Sequence, residues 1–170
     1  IGPLHCFAVL LQTGHHMADR TALSQQFLQQ AGWGAAERRF LAGDASDRSY
    51  DRLTRPGQTA VLMNAPPGMG DNPAVFLKIA AHLSKLGLSA PLCLAQDLNH
   101  GFLLLEDLGD GIYAQIVAET PSIEPILYTA AADALLHIQS HNSPTHLPNL
   151  TARDWAEAAC FALDWYRFAI

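Results

Sequence analysis

The segment from Gly101 to Gly111, GFLLLEDLGDG, places the strongest constraint on the fold of this chain. Four consecutive apolar residues, Phe102 to Leu105, follow the turn signal Asn99-His100-Gly101, which predicts a short strand buried on both faces. Polarity changes at Glu106-Asp107, and two glycines follow. Because the backbone leaves the sheet here with unpaired N–H and C=O groups, the segment is suited to hold the edge of a planar ligand. A buried strand that ends in an ordinary polar turn explains the same residues.

The bulk composition is that of a globular protein with a packed core. The chain has 170 residues, of which 49% are hydrophobic, and this excludes a disordered chain. The formal net charge is −6, and the basic residues are scattered, which argues against a nucleic-acid or anionic membrane surface. No apolar run approaches the roughly 20 residues that span a bilayer. We therefore expect neither nucleic-acid nor membrane partners.

The cysteines and the first residues bear on the compartment. Cys6, Cys93 and Cys160 are odd in number and lie in or beside apolar stretches, which predicts buried thiols in a reducing compartment, the cytoplasm. Residues 1–16 contain no Lys, Arg, Asp or Glu and lack the cationic flank of a signal peptide. We expect them to be a non-native or disordered tail, with Met17 as the true start.

The next part of the chain predicts a helix and an antiparallel meander. Thr21 to Ala31 form a helix that Asp19 or Thr21 caps and Gly32 ends. The strand candidates that follow are Glu37–Ala42, Tyr50–Arg55 and Thr59–Met63. Pro56-Gly57 suits a type II turn between the last two.

A second helix and a second pair of strands follow. Asn72 is a helix cap with Pro73 in the first helical position, and Gly87 ends the helix. Pro91 to Leu98 predict a strand that the Asn99–Gly101 turn pairs with Phe102–Leu105.

After Gly111 the pattern becomes helical. Apolar residues at helical spacing predict one helix from Ser122 to near His141, and Thr151 caps another that runs to Ile170. No capping signal precedes Ile170, so we expect the chain to end inside a larger fold. The predicted architecture is α+β, with a lobe at 17–109 and a hinge with the start of a helical lobe at 110–170.

Two local motifs admit competing interpretations. Gly109 to Ala114 match G-x-G-x-x-A, but Asp133 lies in a helical stripe and no second parallel strand follows, which disfavours a dinucleotide fold. The loop Gly43 to Tyr50, GDASDRSY, could cover a phosphate chain with backbone N–H groups and with Arg48 or Arg52. A solvated hairpin loop is the alternative. Its aspartates lack the spacing of a calcium loop.

Together, these pieces resemble the small lobe and hinge of the kinase-like aminoglycoside phosphotransferase family. GDASDRSY, VLMNAPP, SAPLCLAQDLNHGFLLLEDLGDGIY and FALDWY are similar to the branch of the anomeric N-acetylmuramate/N-acetylglucosamine kinases. The resemblance covers Ala22 to the end of the chain. It implies a protein-kinase-like fold, with an antiparallel five-stranded lobe and one large helix, followed by the first helices of a truncated helical lobe.

The resemblance also implies a site for ATP and Mg²⁺. The residues it assigns are Gly43, Asp44, Ala45, Ser46, Asp47 and Arg48 over the phosphates, the backbone of Glu106, Asp107 and Leu108 at the adenine edge, and Met63 with Leu104 as walls of the base pocket.

This chain departs from the family pattern at several positions. Val61 to Asn64 stand where such kinases place a strand Lys, so Arg48 or Arg52 would have to replace it, although Arg and Lys are not equivalent. The branch usually has Asp at the position of Asn64. The catalytic His-x-Asp and the metal-binding Asp are expected beyond Ile170, so no catalytic or metal-binding residue is assigned within the chain.

The resemblance thus implies a cytoplasmic phosphotransferase that uses ATP and acts on the anomeric hydroxyl of N-acetylmuramate or N-acetylglucosamine in cell-wall recycling. This stretch would bind the nucleotide and be inactive by itself. An aminoglycoside or choline-type kinase is one alternative, and a non-catalytic module that binds nucleotide or a partner is another.

Overall fold

The computed structural model describes residues 20–43, 47–69, 72–145, 147 and 149–169, with side chains up to residue 160. The chain divides into two compact units, Ile1–Ala130 and Ala131–Ile170. The predicted boundary between 109 and 110 stays a prediction. The predicted tail at 1–16, with Cys6, lies outside the described residues.

The first unit is built around one five-stranded antiparallel sheet, which confirms the predicted kinase-like α+β fold. Its strands are β1 Glu37–Gly43, β2 Ser49–Arg55, β3 Gln58–Asn64, β4 Cys93–Asp97 and β5 Phe102–Glu106. They lie in the order β1-β2-β3-β5-β4, and each neighbouring pair is antiparallel. The apolar run in β5 is therefore a central strand, and its side chains from Phe102 to Leu105 are buried as predicted.

The helices occupy most of the positions that the sequence predicts. They are α1 at 20–30, α2 Pro73–Lys85, α3 Tyr113–Glu119, α4 Glu124–Gln139 and α5 Ala152–Ala169. The Asn72 side chain accepts a hydrogen bond from the N–H of Ala74 at 2.8 Å, so it caps α2 as expected. None of the helices in the described part of the chain is long and apolar enough to cross a membrane.

Two features differ from expectation in these elements. The short helix α3 is not in the prediction, because no polar capping residue marks its start. The cap position is occupied by Ile112, which makes no side-chain hydrogen bond. Thr21 lies inside α1 rather than at its cap.

One face of the sheet is covered by α1, and we call it the α1 face. Cross-strand partners share a face in an antiparallel sheet, and Leu62 pairs with Leu104. Both belong to the core cluster that includes Phe27 of α1. The rings of Phe27 and Phe102 stack with their centroids 5.8 Å apart.

The opposite face packs against α2, and we call it the α2 face. Met63 pairs with Leu103, and Val61 pairs with Leu105. Buried Met63, Leu103 and Leu105 form a second cluster, with Phe76 of α2 packed against it. Adjacent residues of β5 therefore pack into different clusters, one on the α1 face and one on the α2 face.

The prediction of buried thiols is wrong for two of the three cysteines. Cys93 and Cys160 are both exposed. The apolar neighbours of Cys93 suggested burial, but β4 is the edge strand of the sheet, and Leu92 and Leu94 are exposed there as well.

Candidate functional site

The candidate site begins where β5 ends, in the segment from residue 106 to residue 112 that leads to α3 and that we call the hinge from here on. Glu106 is fixed to the residue that precedes β4. Its N–H donates to the carbonyl oxygen of Leu92 at 2.8 Å, and its Oε2 accepts from the N–H of Leu92 at 3.1 Å. The N–H of Glu106 is therefore already used within the fold.

The backbone of Leu108 makes no hydrogen bond to any residue that the structure describes. The residue is 60% exposed, so a ligand can reach it. An N–H and a C=O in this position can meet the acceptor and donor groups along the edge of a planar ring. Of the three residues predicted to hold adenine, Leu108 is the most exposed, and its N–H has no partner among the described residues.

Asp107 is anchored on both sides of its carboxylate. Its Oδ1 accepts from the N–H of Gly109 at 3.0 Å and from Nη2 of Arg52 at 3.1 Å, while Nε of Arg52 lies 2.8 Å from Oδ2. Burial raises the pKa of Asp107, but hydrogen bonds from the Gly109 N–H, Arg52 and Thr59 outweigh it and hold that pKa below its usual value. The carboxylate is charged at neutral pH and serves as a fixed acceptor.

Arg52 connects this segment to the sheet. It pairs with Val61, and Val61 pairs with Leu105, so Arg52 lies on the α2 face beside the end of β5. Its Nη1 lies 2.8 Å from each carboxylate oxygen of Asp110. The hydrogen bond that Arg52 donates to Asp110 is the main reason why the pKa of Arg52 is raised. The guanidinium is thus paired with two carboxylates of the hinge.

The loop predicted to cover phosphates lies at the other end of the strands. Gly43 ends β1 and pairs with Ser49, and Ser49 pairs with Asn64 of β3. Asp47 has a φ of 57°, which fits the sharp return of the chain before Arg48. The remaining predicted residues of the loop, Asp44, Ala45 and Ser46, lie outside the described residues.

The register separates the two ends of the candidate site along the strands. Asn64 pairs with Phe102 at the loop end, and Ala60 pairs with Glu106 at the hinge end. Four residue steps of an antiparallel strand span about 14 Å. An extended nucleoside triphosphate can bridge such a distance, with the base at one end and the phosphates at the other.

The structure does not bring Met63 and Leu104 together as walls of one pocket. Met63 lies on the α2 face and Leu104 on the α1 face, in separate core clusters. The pair that shares the α2 face next to the hinge is Val61 and Leu105. Side chains alternate between the two faces along paired strands, and this alternation is the signal that could have shown that Met63 and Leu104 lie on opposite faces.

Asn64, at the position where the resembling branch usually has Asp, belongs to the α1 face. Its Oδ1 accepts a hydrogen bond from Nη2 of Arg20 in α1, and its Nδ2 donates to Oγ of Ser49 at 3.3 Å. Nη1 of Arg20 also donates to the carbonyl oxygen of His100 at 2.6 Å, and its guanidinium lies 4.2 Å from the ring centre of Phe102. Asn64 therefore helps to tie α1 to the sheet.

The described residues contain no group of three or more His, Cys, Asp or Glu side chains that could hold a metal ion. Mg²⁺ at nucleotide sites is held largely by phosphates, with one or two carboxylates. The described residues of this chain therefore supply no preformed cage for Mg²⁺, and none of them is assigned to it.

Comparison with known proteins identifies the family. The model of the phosphotransferase enzyme family matches residues 37–169, well over half of the chain. The chain is 36% identical to an N-acetylmuramate/N-acetylglucosamine kinase of Caulobacter vibrioides, over 75% of this chain and 42% of that protein. It is 36% identical to the Pseudomonas aeruginosa protein of the same name, over 79% of this chain and 40% of that protein.

A third relative, from Pseudomonas putida, carries the same name and is 37% identical over 69% of this chain and 34% of that protein. The chain thus spans between a third and somewhat over two fifths of the length of the curated relatives it matches. With its five-stranded sheet, its large α2 and this match, the chain belongs to the phosphotransferase enzyme family, as its sequence predicts.

Proposed function

We propose that the whole protein transfers the γ-phosphoryl group of ATP to the anomeric hydroxyl of N-acetylmuramate or N-acetylglucosamine, and that these residues bind the nucleotide. The single observation that carries the nucleotide assignment is the available backbone of Leu108 at the end of the buried strand β5. The names of the relatives support the choice of acceptor. Such a kinase takes part in cell-wall recycling, and we place it in the cytoplasm, where ATP is available.

The base is expected to lie against the hinge end of the α2 face. Leu108 would donate its N–H to a ring nitrogen, with the hydrophobic pair Val61 and Leu105 beside the ring. Gly43 to Arg48 would approach the phosphates at the loop end. Phosphoryl transfer depends mainly on positioning and on neutralising the developing charge, and Mg²⁺ bound to the phosphates would supply part of that neutralisation.

The nucleotide assignment can be tested by removing one backbone N–H. Leu108→Pro removes the donor, whereas Leu108→Ala keeps it and serves as the matched control. Loss of one good hydrogen bond is worth about 1–1.5 kcal/mol, or roughly tenfold in the Kd for ATP. We expect weaker ATP binding by Leu108→Pro and nearly unchanged binding by Leu108→Ala, measured by calorimetry on folded protein. Equal affinities of the two variants would refute the role of Leu108.

The acceptor assignment requires phosphotransfer by the full-length protein. N-acetylmuramate and N-acetylglucosamine should both be tested beside their 1-O-methyl glycosides, which lack a free anomeric hydroxyl. We expect phosphate from ATP in the free sugars and none in the glycosides. Transfer to the glycosides would place the reaction at another hydroxyl. Transfer to choline or an aminoglycoside, with none to the sugars, would overturn the acceptor assignment.

A further inference from the structure

Arg52 is a largely buried cation that joins strand β2 to Asp107 and Asp110 of the hinge. Its side chain is 12% exposed, and that of Asp107 is 6% exposed. Asp110, the other partner, is 71% exposed. We propose that Arg52 is a positioning residue: it holds residues 107–110 in the conformation that offers the Leu108 N–H to a nucleobase. This inference rests on the proposed nucleotide site.

The contacts of the hinge show why Leu108 depends on its neighbours. Leu108 has no hydrogen bond of its own within the described chain, so the residues on either side must fix its backbone. Asp107 accepts from the N–H of Gly109, and this closes a tight turn around Leu108. The turn is local, and Arg52 ties it to β2 through Asp107 and Asp110. Thr59 provides a further hydrogen bond to Asp107.

A geometric role explains the use of a charged group better than stability does. Taking a guanidinium and a carboxylate out of water costs free energy that their attraction only partly offsets, and apolar replacements of similar size are often as stable. The planar fork of Arg fixes both distance and orientation of a carboxylate, which neither an apolar side chain nor Lys can do. Arg52 also lies on the α2 face next to Val61, where the base is expected.

The test compares Arg52→Met and Arg52→Lys with a matched control on the other face of the sheet. Arg38 forms a similar ion pair, with its Nη2 2.7 Å and its Nε 2.9 Å from Oδ2 of Asp51, and its Nη1 donates to Ser24 at 2.8 Å. Arg38→Met therefore removes a comparable interaction on the α1 face. The Kd values for ATP, GTP and adenosine are measured by calorimetry on the full-length protein.

We expect both Arg52 variants to bind ATP and adenosine about three- to tenfold more weakly, and to change the ratio of the GTP and ATP affinities. Arg38→Met should keep the wild-type ratio of GTP and ATP affinities even where its melting temperature falls equally. Adenosine distinguishes a role of Arg52 at the nucleobase from a role at the phosphates, because adenosine has no phosphates. Weaker binding of ATP with unchanged binding of adenosine would mean that Arg52 meets phosphates, and would overturn the proposal.

Unchanged affinities and selectivity in folded Arg52 variants would overturn it as well. Should the Arg52 variants fail to fold, Asp110→Asn provides the test, because this exposed residue can change without disturbing the core. It should weaken adenosine binding in the same direction, and an unaltered Kd would contradict the proposal. Absence of nucleotide binding by the wild-type protein is a different result, since it removes the proposed function itself.

Discussion

The turn that leads into β5 offers a sharp test of the backbone contact between two neighbouring connections of the sheet. Gly101 has a φ of 73°, and its carbonyl oxygen accepts from the N–H of Ala65 at 2.9 Å. A Cβ added at Gly101 would lie 1.9 Å from the carbonyl oxygen of Ala65 and 3.4 Å from Cδ of Pro67. The β4–β5 turn and the segment after β3 are therefore in direct backbone contact, and Gly101→Ala must push them apart.

The cost of Gly101→Ala can be worked out against a control glycine. Gly57, in the β2–β3 turn, has a φ of 72°, and its added Cβ would meet nothing within 4 Å. Gly57→Ala therefore carries only the conformational penalty of the left-handed region, about 1–2 kcal/mol. Gly101→Ala carries that penalty and also disrupts the hydrogen bond to Ala65, about 1 kcal/mol, with further loss from the displaced backbone. We expect a total of about 3 kcal/mol.

Urea unfolding of the two variants measures the difference. Because small domains have free energies of unfolding of about 5–15 kcal/mol, both variants should fold, and their midpoints can be compared at a common slope. We expect Gly101→Ala to be less stable than Gly57→Ala by about 1–2 kcal/mol. Equal losses would refute the reasoning, because they would show that the two backbone segments separate at no cost.

Three further outcomes are expected. Because the pKa of Asp107 is lowered in the folded state, its contribution to stability is present above its unfolded pKa of about 3.9 and is lost as pH falls through the folded pKa. Asp107→Asn should therefore lower stability at pH 7 and flatten the acid side of the stability profile, as measured by urea titrations from pH 7 to 2.5; an unchanged slope would contradict the ion pair. Asn72→Ala should cost about 1 kcal/mol in urea unfolding through loss of the α2 cap, whereas Asn72→Ser should cost much less. Leu104→Ala and Leu105→Ala should each cost about 2–5 kcal/mol, but only Leu105→Ala, on the α2 face, should also weaken ATP binding.

The sequence predicted those parts of the fold in which short-range chemistry decides the structure. The apolar run Phe102–Leu105 can satisfy its burial only as a central strand, and it is one. Asn72 and Thr151 are polar cap residues with the expected contacts, since Thr151 and Asp154 exchange hydrogen bonds at the start of α5. α3 carries no such signal at Ile112, and its helix could not be read from the residues alone.

The candidate site was less predictable because its geometry depends on long-range pairing. Arg52 and Asp110 are separated by 58 positions in the chain, and no local pattern indicates that they meet. The sequence did single out Arg52 as a cation, yet it suggested a role near the phosphates, while the register brings its guanidinium to the hinge. Only the register between β2 and β3 shows whether Arg52 lies at the loop end or at the hinge end of the strands.

The same register explains why a strand buried on both faces can still serve a binding site. Phe102 and Leu104 pack against the α1 cluster, which Arg20 and Asn64 tie to the loop end of the sheet. Leu103 and Leu105 lie on the α2 face. On that face β5 is next to β3, and the ion pairs of Arg52 lie at the end of β5. Since one side of β5 is fixed by the α1 core, its end cannot shift without breaking that core. This gives the exposed backbone at Leu108 a rigid base, and such rigidity lowers the entropy lost when a ligand binds.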